Sequence, residues 1–112
     1  MLLVEDDAAA RLSIGLLLRI DRHQVTEVTS GAEALQLLQQ QAFDLVIVDY
    51  FMPELRGNQV AVGIRSVAPT MPIIMISAYL EKLKPSERPV DAVLSKPFGI
   101  EELRQAIASL VA

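Results

Sequence analysis

Cysteine is absent from the 112-residue chain, which excludes a disulfide scaffold, Cys-ligated zinc and thiol catalysis. A single histidine, His23, leaves no room for a multi-histidine metal site or a Ser-His-Asp triad. Basic charge is in the minority: ten Lys and Arg stand against fourteen Asp and Glu, a formal net charge of −4. That balance is not the basic stripe that phosphate backbones require, so direct nucleic-acid binding is not expected. Long apolar runs are missing too, and no stretch approaches the roughly 18 residues of a membrane span. The apolar opening Met1-Leu2-Leu3-Val4 stops at Glu5, which does not match a signal peptide. Together these absences lead to the expectation of a small, acidic, cytoplasmic domain. An apolar content of 52% suffices for one core across residues 1–112, with no linker or internal repeat.

Short apolar runs at residues 2–4, 24–28, 45–48, 73–76 and 92–94 alternate with helical patterns. Such alternation predicts an α/β fold whose parallel strands are covered by helices on both faces. Asp7 is placed to cap a helix from Ala8 to about Ile20, with Leu12, Leu16, Leu17 and Ile20 read as its buried stripe. Ser30-Gly31-Ala32-Glu33 has capping-box spacing and opens a second helix. A third spans 57–67, and a last one carries Glu101 and Glu102 in its first turn with Leu103, Ile107 and Leu110 facing inward. Pro85 and Pro89 preclude an ordinary helix between the fourth and fifth strands, so that helix is expected to be short or irregular.

Ligands of open α/β sheets gather outside the carboxyl ends of the strands. Glu5, Asp6 and Asp7 follow the first strand, Asp49 the third, Ser77 the fourth and Ser95-Lys96-Pro97 the fifth. Clustered carboxylates repel one another and need a cation or raised pKa values to coexist. The donors are oxygens, so a hard ion such as Mg²⁺ suits them, with Lys96 and Ser77 beside it as groups for an anion. A carboxylate, a divalent cation, a lysine and a hydroxyl suit phosphoryl transfer, whose chemistry is mostly positioning and charge neutralisation. Each residue also has a plainer reading. Asp7 is read as a helix cap, Ser77 alone would be a strand-end hydroxyl, and residues 52–57 alone would be a turn. His23, Arg19, Arg22, Lys82 and Lys84 are read as solvated.

Four segments taken together resemble the receiver domain of two-component response regulators: Leu3-Val4-Glu5-Asp6-Asp7, Leu45 to Gly57 (which contains Val48-Asp49-Tyr50-Phe51-Met52-Pro53), Ile76-Ser77-Ala78 and Ser95-Lys96-Pro97-Phe98. The resemblance covers essentially the whole chain. It implies a three-layer (βα)5 flavodoxin-like sandwich with a five-stranded parallel sheet of order 2-1-3-4-5. It implies that Asp49 is a phosphoacceptor, taking a phosphoryl group from a histidine kinase or phosphotransfer protein in a Mg²⁺-dependent phosphorelay. Glu5, Asp6, Asp49 and the backbone carbonyl of Phe51 are then the metal ligands, Lys96 the phosphoryl-pairing lysine and Ser77 the switch hydroxyl. Pro97 matches a position usually preceded by a cis peptide.

Some positions depart from the family pattern. Val93 stands where an aromatic residue is usual, so a ring swing is not expected as the readout. With an irregular fourth helix, the chain is expected to be a monomer or weak dimer, with an unknown downstream protein partner. Phe51 and Tyr79 match positions flanking the path of attacking water, and bulk at both implies a long-lived aspartyl phosphate. An independent phosphatase would need a second acid where Phe51 stands, so no enzyme activity is expected beyond the domain's own phosphorylation and dephosphorylation. The alternative function is a phosphorylation-independent interaction module of the same fold.

Overall fold

Along each strand, neighbouring side chains point to opposite faces, and here both faces are apolar. Leu3, Ile47, Ile74 and Ile76 enter one core cluster, whereas Leu2, Val4, Val46, Val48 and Ile73 enter another. A sheet of this kind must be covered on both sides, and it is. The computed structural model of the chain describes residues 1–78 and 90–110. Its elements in chain order are β1 (Leu2–Val4), α1 (Ala8–Ile20), β2 (Thr26–Val28), α2 (Gly31–Leu38), β3 (Val46–Asp49), α3 (Gly57–Val67), β4 (Ile73–Ser77), β5 (Ala92–Ser95) and α4 (Ile100–Leu110). All five strands pair in parallel in the order β2-β1-β3-β4-β5. Helices α1 and α4 cover one face through Ile14, Leu18, Leu103 and Ile107. Helices α2 and α3 cover the other through Ala34, Val60, Ala61 and Ile64. The expected three-layer sandwich and strand order are the ones observed. The irregular helix expected between β4 and β5 falls on residues 79–89 and lies outside the described residues.

The expected caps form. Asp7 accepts the N–H of Ala10 at 2.8 Å, and Ser30 Oγ accepts that of Glu33 at 3.2 Å while Glu33 reaches back to the N–H of Thr29. The buried stripe of α1, however, is not the expected one. Ile14 and Leu18 face the core, with Leu17 partly buried against it, whereas Leu12, Leu16 and Ile20 are 59%, 54% and 63% exposed. Both stripes satisfy helical spacing, so periodicity alone cannot choose between them. Polar partners decide it. Arg11 and Arg19 pair with Glu27 on β2, and that flank turns Leu12, Leu16 and Ile20 away from the sheet. Arg19 is thus an ion-pair partner rather than a merely solvated residue.

The end of α1 holds backbone strain. The N–H of His23 bonds the carbonyl of Leu18 and that of Arg22 bonds Arg19, the paired pattern of a Schellman cap. Arg22 therefore sits at φ 64°, a region that suits glycine. Arg22→Gly is expected to raise the unfolding free energy by about 0.5–1 kcal/mol. Equilibrium urea denaturation checks this, with the midpoint moving upward at constant m.

Candidate functional site

Because β1 and β3 are neighbours and β4 lies between β3 and β5, the carboxyl ends of four strands open onto one place. Glu5 and Asp6 follow β1, Asp49 ends β3, Ser77 ends β4 and Lys96 follows β5. Carboxylate oxygens of Glu5, Asp6 and Asp49 lie within 4.8 Å of one another. Glu5 is wholly buried and Asp49 nearly so, while Asp6 is exposed. The ammonium of Lys96 donates to Glu5 Oε1 at 3.0 Å and stands 3.5 Å from Asp49 Oδ2. The other oxygen of Glu5 accepts the N–H of Asp7 at 3.3 Å. Ser77 is buried, and its carbonyl accepts the Lys96 N–H at 2.9 Å, which ties the ends of β4 and β5 together. The Lys96–Pro97 peptide is cis, as the resemblance implied.

Electrostatics follow from this burial. Loss of solvent pushes the Asp49 carboxyl up to about 7, helped by the charge and hydrogen bond of Glu5 and opposed by Lys96. Burial alone lowers the pKa of Lys96, but the bond to Glu5 and the two carboxylate charges outweigh it and hold the ammonium above its ordinary value. The cluster is therefore short of positive charge. All its donors are oxygens, and one carboxylate is open to solvent, which fits a hard divalent cation that keeps positions for water or phosphate.

The loop after Asp49 is built by close approach. A Cβ on Gly57 would lie 2.7 Å from both the Asp49 carbonyl oxygen and Tyr50 Cα, so only glycine lets α3 start against this backbone. Its N–H bonds the Tyr50 carbonyl at 2.8 Å, while the Tyr50 N–H bonds Ile76 on β4. Between them the Leu55 N–H bonds the Pro53 carbonyl across Glu54 at φ 69°, a γ-turn. Arg56 caps α3 through its own N–H on Gln59 Oε1 at 2.8 Å. The Arg56 guanidinium lies 5.3 Å from the centroid of Phe51, whose ring is 40% exposed and meets Tyr50 edge-on. Phe51 thus stands on the rim of the pocket, two residues from Asp49. Tyr79, paired with it in the shielding expectation, lies outside the described residues. Val93 packs beside Tyr50 and Met75.

Cavities open at both ends of the strands. One of 470 Å³ adjoins the site, lined by Ile14 and Leu17 of α1 together with Lys96, Pro97 and Phe98. A larger one of 660 Å³ sits at the opposite, amino ends of the strands and holds His23 and Asp44. His23 is therefore remote from the carboxylates. One residue that sequence reasoning passed over belongs to the site. Arg11 donates to the backbone carbonyls of Glu5 and Asp6 at 3.0 and 3.4 Å. Its position one helical turn after the Asp7 cap was the available signal.

The fold and this pocket define a class: doubly wound α/β domains with an acidic, lysine-bridged cluster at the carboxyl ends of their strands. A family model described as the response regulator receiver domain matches residues 1–108, and the chain belongs to that family. Among curated relatives, it is 36% identical over 110 residues to the transcriptional regulatory protein GlrR of Escherichia coli K12, covering 96% of this chain and 25% of that protein. It is 32% identical over 114 residues to the response regulator MprA of Mycobacterium leprae, covering 99% of this chain and 50% of that protein. The chain thus spans between a quarter and a half of these relatives. Among solved structures, TrrA of Thermotoga maritima, crystallised with Mg²⁺ and BeF, superposes with a TM-score of 0.90 at 29% identity, covering 98% of this chain and 96% of that one. The receiver domain of the sensor histidine kinase PA1611 of Pseudomonas aeruginosa, with magnesium in its active-site cleft, gives 0.89 at 28%, covering 97% and 93%. No helix among the described residues is long and apolar enough to cross a membrane.

The raised pKa of Asp49 has a consequence for stability. The folded state holds the proton that the unfolded chain releases near 3.8, so Asp49 progressively destabilises the fold as pH rises from about 4 to about 7. In chelator, Asp49→Asn is expected to raise Tm at pH 8 by about 5 °C or more, a gain of at least about 1 kcal/mol. The gain shrinks at pH 5 and vanishes near pH 4. Differential scanning calorimetry across that range checks the trend, and a pH-independent gain would contradict it.

Proposed function

We propose that residues 1–112 form a receiver domain that is phosphorylated on Asp49 in a Mg²⁺-dependent phosphorelay. The observation carrying this reading is the Glu5, Asp6 and Asp49 cluster joined to Lys96, on a chain of the receiver family. Asp6, Asp49 and the backbone carbonyl of Phe51 would hold the cation, with Glu5 as their acidic partner. When bound, Mg²⁺ neutralises carboxylate and phosphoryl charge and orients the phosphoryl oxygens.

The chain's own residues supply the rest. An oxygen of Asp49 attacks phosphorus as the P–N bond of a phosphohistidine breaks, and the imidazole leaves with the electron pair. Lys96, already within 3.5 Å of Asp49, pairs with the incoming phosphoryl oxygens, and Ser77 donates its hydroxyl to them. The donor is a histidine kinase or histidine phosphotransfer protein, and the apolar cavity beside Lys96 gives it a surface to approach. No reaction on an independent substrate is assigned, and the setting is cytoplasmic. The partially exposed Phe51 ring, held by Arg56 and Tyr50, obstructs in-line water.

Intact-mass measurement after incubation with Mg²⁺ and acetyl phosphate tests the reading. One phosphoryl group is expected on the wild type and none on Asp49→Asn or in chelator. Failure of both acetyl phosphate and a beryllium fluoride complex to bind would instead favour a phosphorylation-independent module. Phe51→Asn is expected to shorten the lifetime of the adduct severalfold in the same assay. An unchanged decay would remove the ring from the account of hydrolysis.

A further inference from the structure

Helix α1 carries a charged clasp that the proposed reaction has not used. Arg11, Gly15 and Arg19 recur at helical spacing on one flank, facing Glu27 of β2. Arg19 Nη1 lies 2.8 Å from Glu27 Oε2, and Arg11 Nε lies 3.7 Å from Glu27 Oε1. The other side of the Arg11 guanidinium donates to the carbonyls of Glu5 and Asp6. Arg19 also donates to the Val25 carbonyl, at 3.3 Å. Arg11 and Glu27 are only 22% and 26% exposed, so their attraction is less screened than that of a surface pair.

Gly15 is the second, independent observation. Glycine inside a helix costs about 0.5–1 kcal/mol relative to alanine. Here a Cβ would lie 2.9 Å from Arg19 Nη1 and 3.1 Å from Glu27 Oε2. The missing side chain leaves room for the ion pair, and an alanine would have to push it aside.

We propose that Arg11, braced by Glu27 and Arg19, is a positioning residue for the magnesium-binding loop between β1 and α1. Its guanidinium fixes the backbone of Glu5 and Asp6, whose carboxylates belong to the cluster that would hold the cation. The inference rests on the metal reading given above. Two effects of Arg11 oppose each other: a cation near the site repels Mg²⁺, whereas a held loop presents its carboxylates ready for binding. Glu27 neutralises much of the charge, and on the loop Arg11 Nη1 bonds carbonyls rather than carboxylates, so positioning wins.

Calorimetric titration with Mg²⁺ alone, well below Tm, tests this. Arg11→Met keeps the aliphatic stem and is expected to weaken Mg²⁺ binding about tenfold, the lower end for groups that hold metal ligands. Arg11→Lys should recover part of the loss. Glu27→Gln should weaken binding less, and adding it to Arg11→Met should cause no further loss. Arg104→Gln, on the α4 clasp with Asp21, serves as an unaffected control. With acetyl phosphate, the Mg²⁺ concentration for half-maximal rate should rise in Arg11→Met while the rate at saturation stays. Unchanged or tighter Mg²⁺ binding in both Arg11→Met and Glu27→Gln overturns the inference while leaving the metal site standing. A wild-type chain that binds no Mg²⁺ overturns both.

Discussion

Everything at the carboxyl edge of the sheet depends on one ammonium between two carboxylates. Glu5 is wholly buried, and an unpaired carboxylate there would be very costly. Lys96 offsets that cost from 91 residues away in sequence, and it also reaches Asp49. The contact exists only because β5 lies on the β4 edge, in register with Ser77 opposite Ser95. Strand order and charge balance are thus a single constraint. A sheet with β5 elsewhere would leave Glu5 buried without its cation. The balance is incomplete all the same: burial, with the charge and hydrogen bond of Glu5 beside it, leaves Asp49 protonated more readily than an exposed aspartate despite Lys96. A buried acidic cluster with a single ammonium beside it is suited to a cation.

Rigid backbone around Asp49 has to accompany that charge arrangement, since reacting groups need defined positions. Gly57 lets α3 begin against the Asp49 carbonyl, and the Tyr50 N–H and carbonyl are both bonded, to Ile76 and Gly57. The γ-turn across Glu54 closes the intervening loop with Met52 buried beneath it. Strain at Glu54 is therefore set off by the packing of Met52 and the start of α3. On the other side, the β1–α1 loop is held by the Asp7 cap, by the Glu5 N–H on Val28 and by Arg11.

Much of this was legible from residue types alone. Nearly unbroken apolar runs marked strands covered on both faces, and Asp7 and Ser30 marked helix starts because their short side chains accept orphan N–H groups. Acidic residues just after β1 and at the end of β3, with Lys96 after β5, marked the pocket. The rotation of α1 was not legible. Its sequence offers two apolar stripes, Ile14–Leu18 and Leu12–Leu16–Ile20, and the choice is made by Glu27 on another strand. For the same reason Arg11 escaped notice: its partners are Glu27 on β2 and two backbone carbonyls, which no residue code distinguishes. Strand order, too, came from the family resemblance and not from periodicity, which reports faces but not neighbours.

Chemistry and readout separate at the Asp49 pocket. The groups that suit phosphoryl transfer are all present, and they lie at strand ends fixed by hydrogen bonds. Position 93 is different, because valine is stiff at χ1 and its rotation moves only methyl groups. It packs with Tyr50, Met75 and Val90 in a small cluster that Val90 joins to the core beneath α2 and α3. Close-packed interiors pass on displacement rather than absorb it. On the proposed reading, a phosphoryl group on Asp49 therefore bears on Tyr50, the next residue, whose ring already meets Phe51 on the rim and the Met75–Val93 cluster within. On that reading Val93 offers no ring to rotate, and the aromatic side chains beside the acceptor among the described residues are Tyr50 and Phe51.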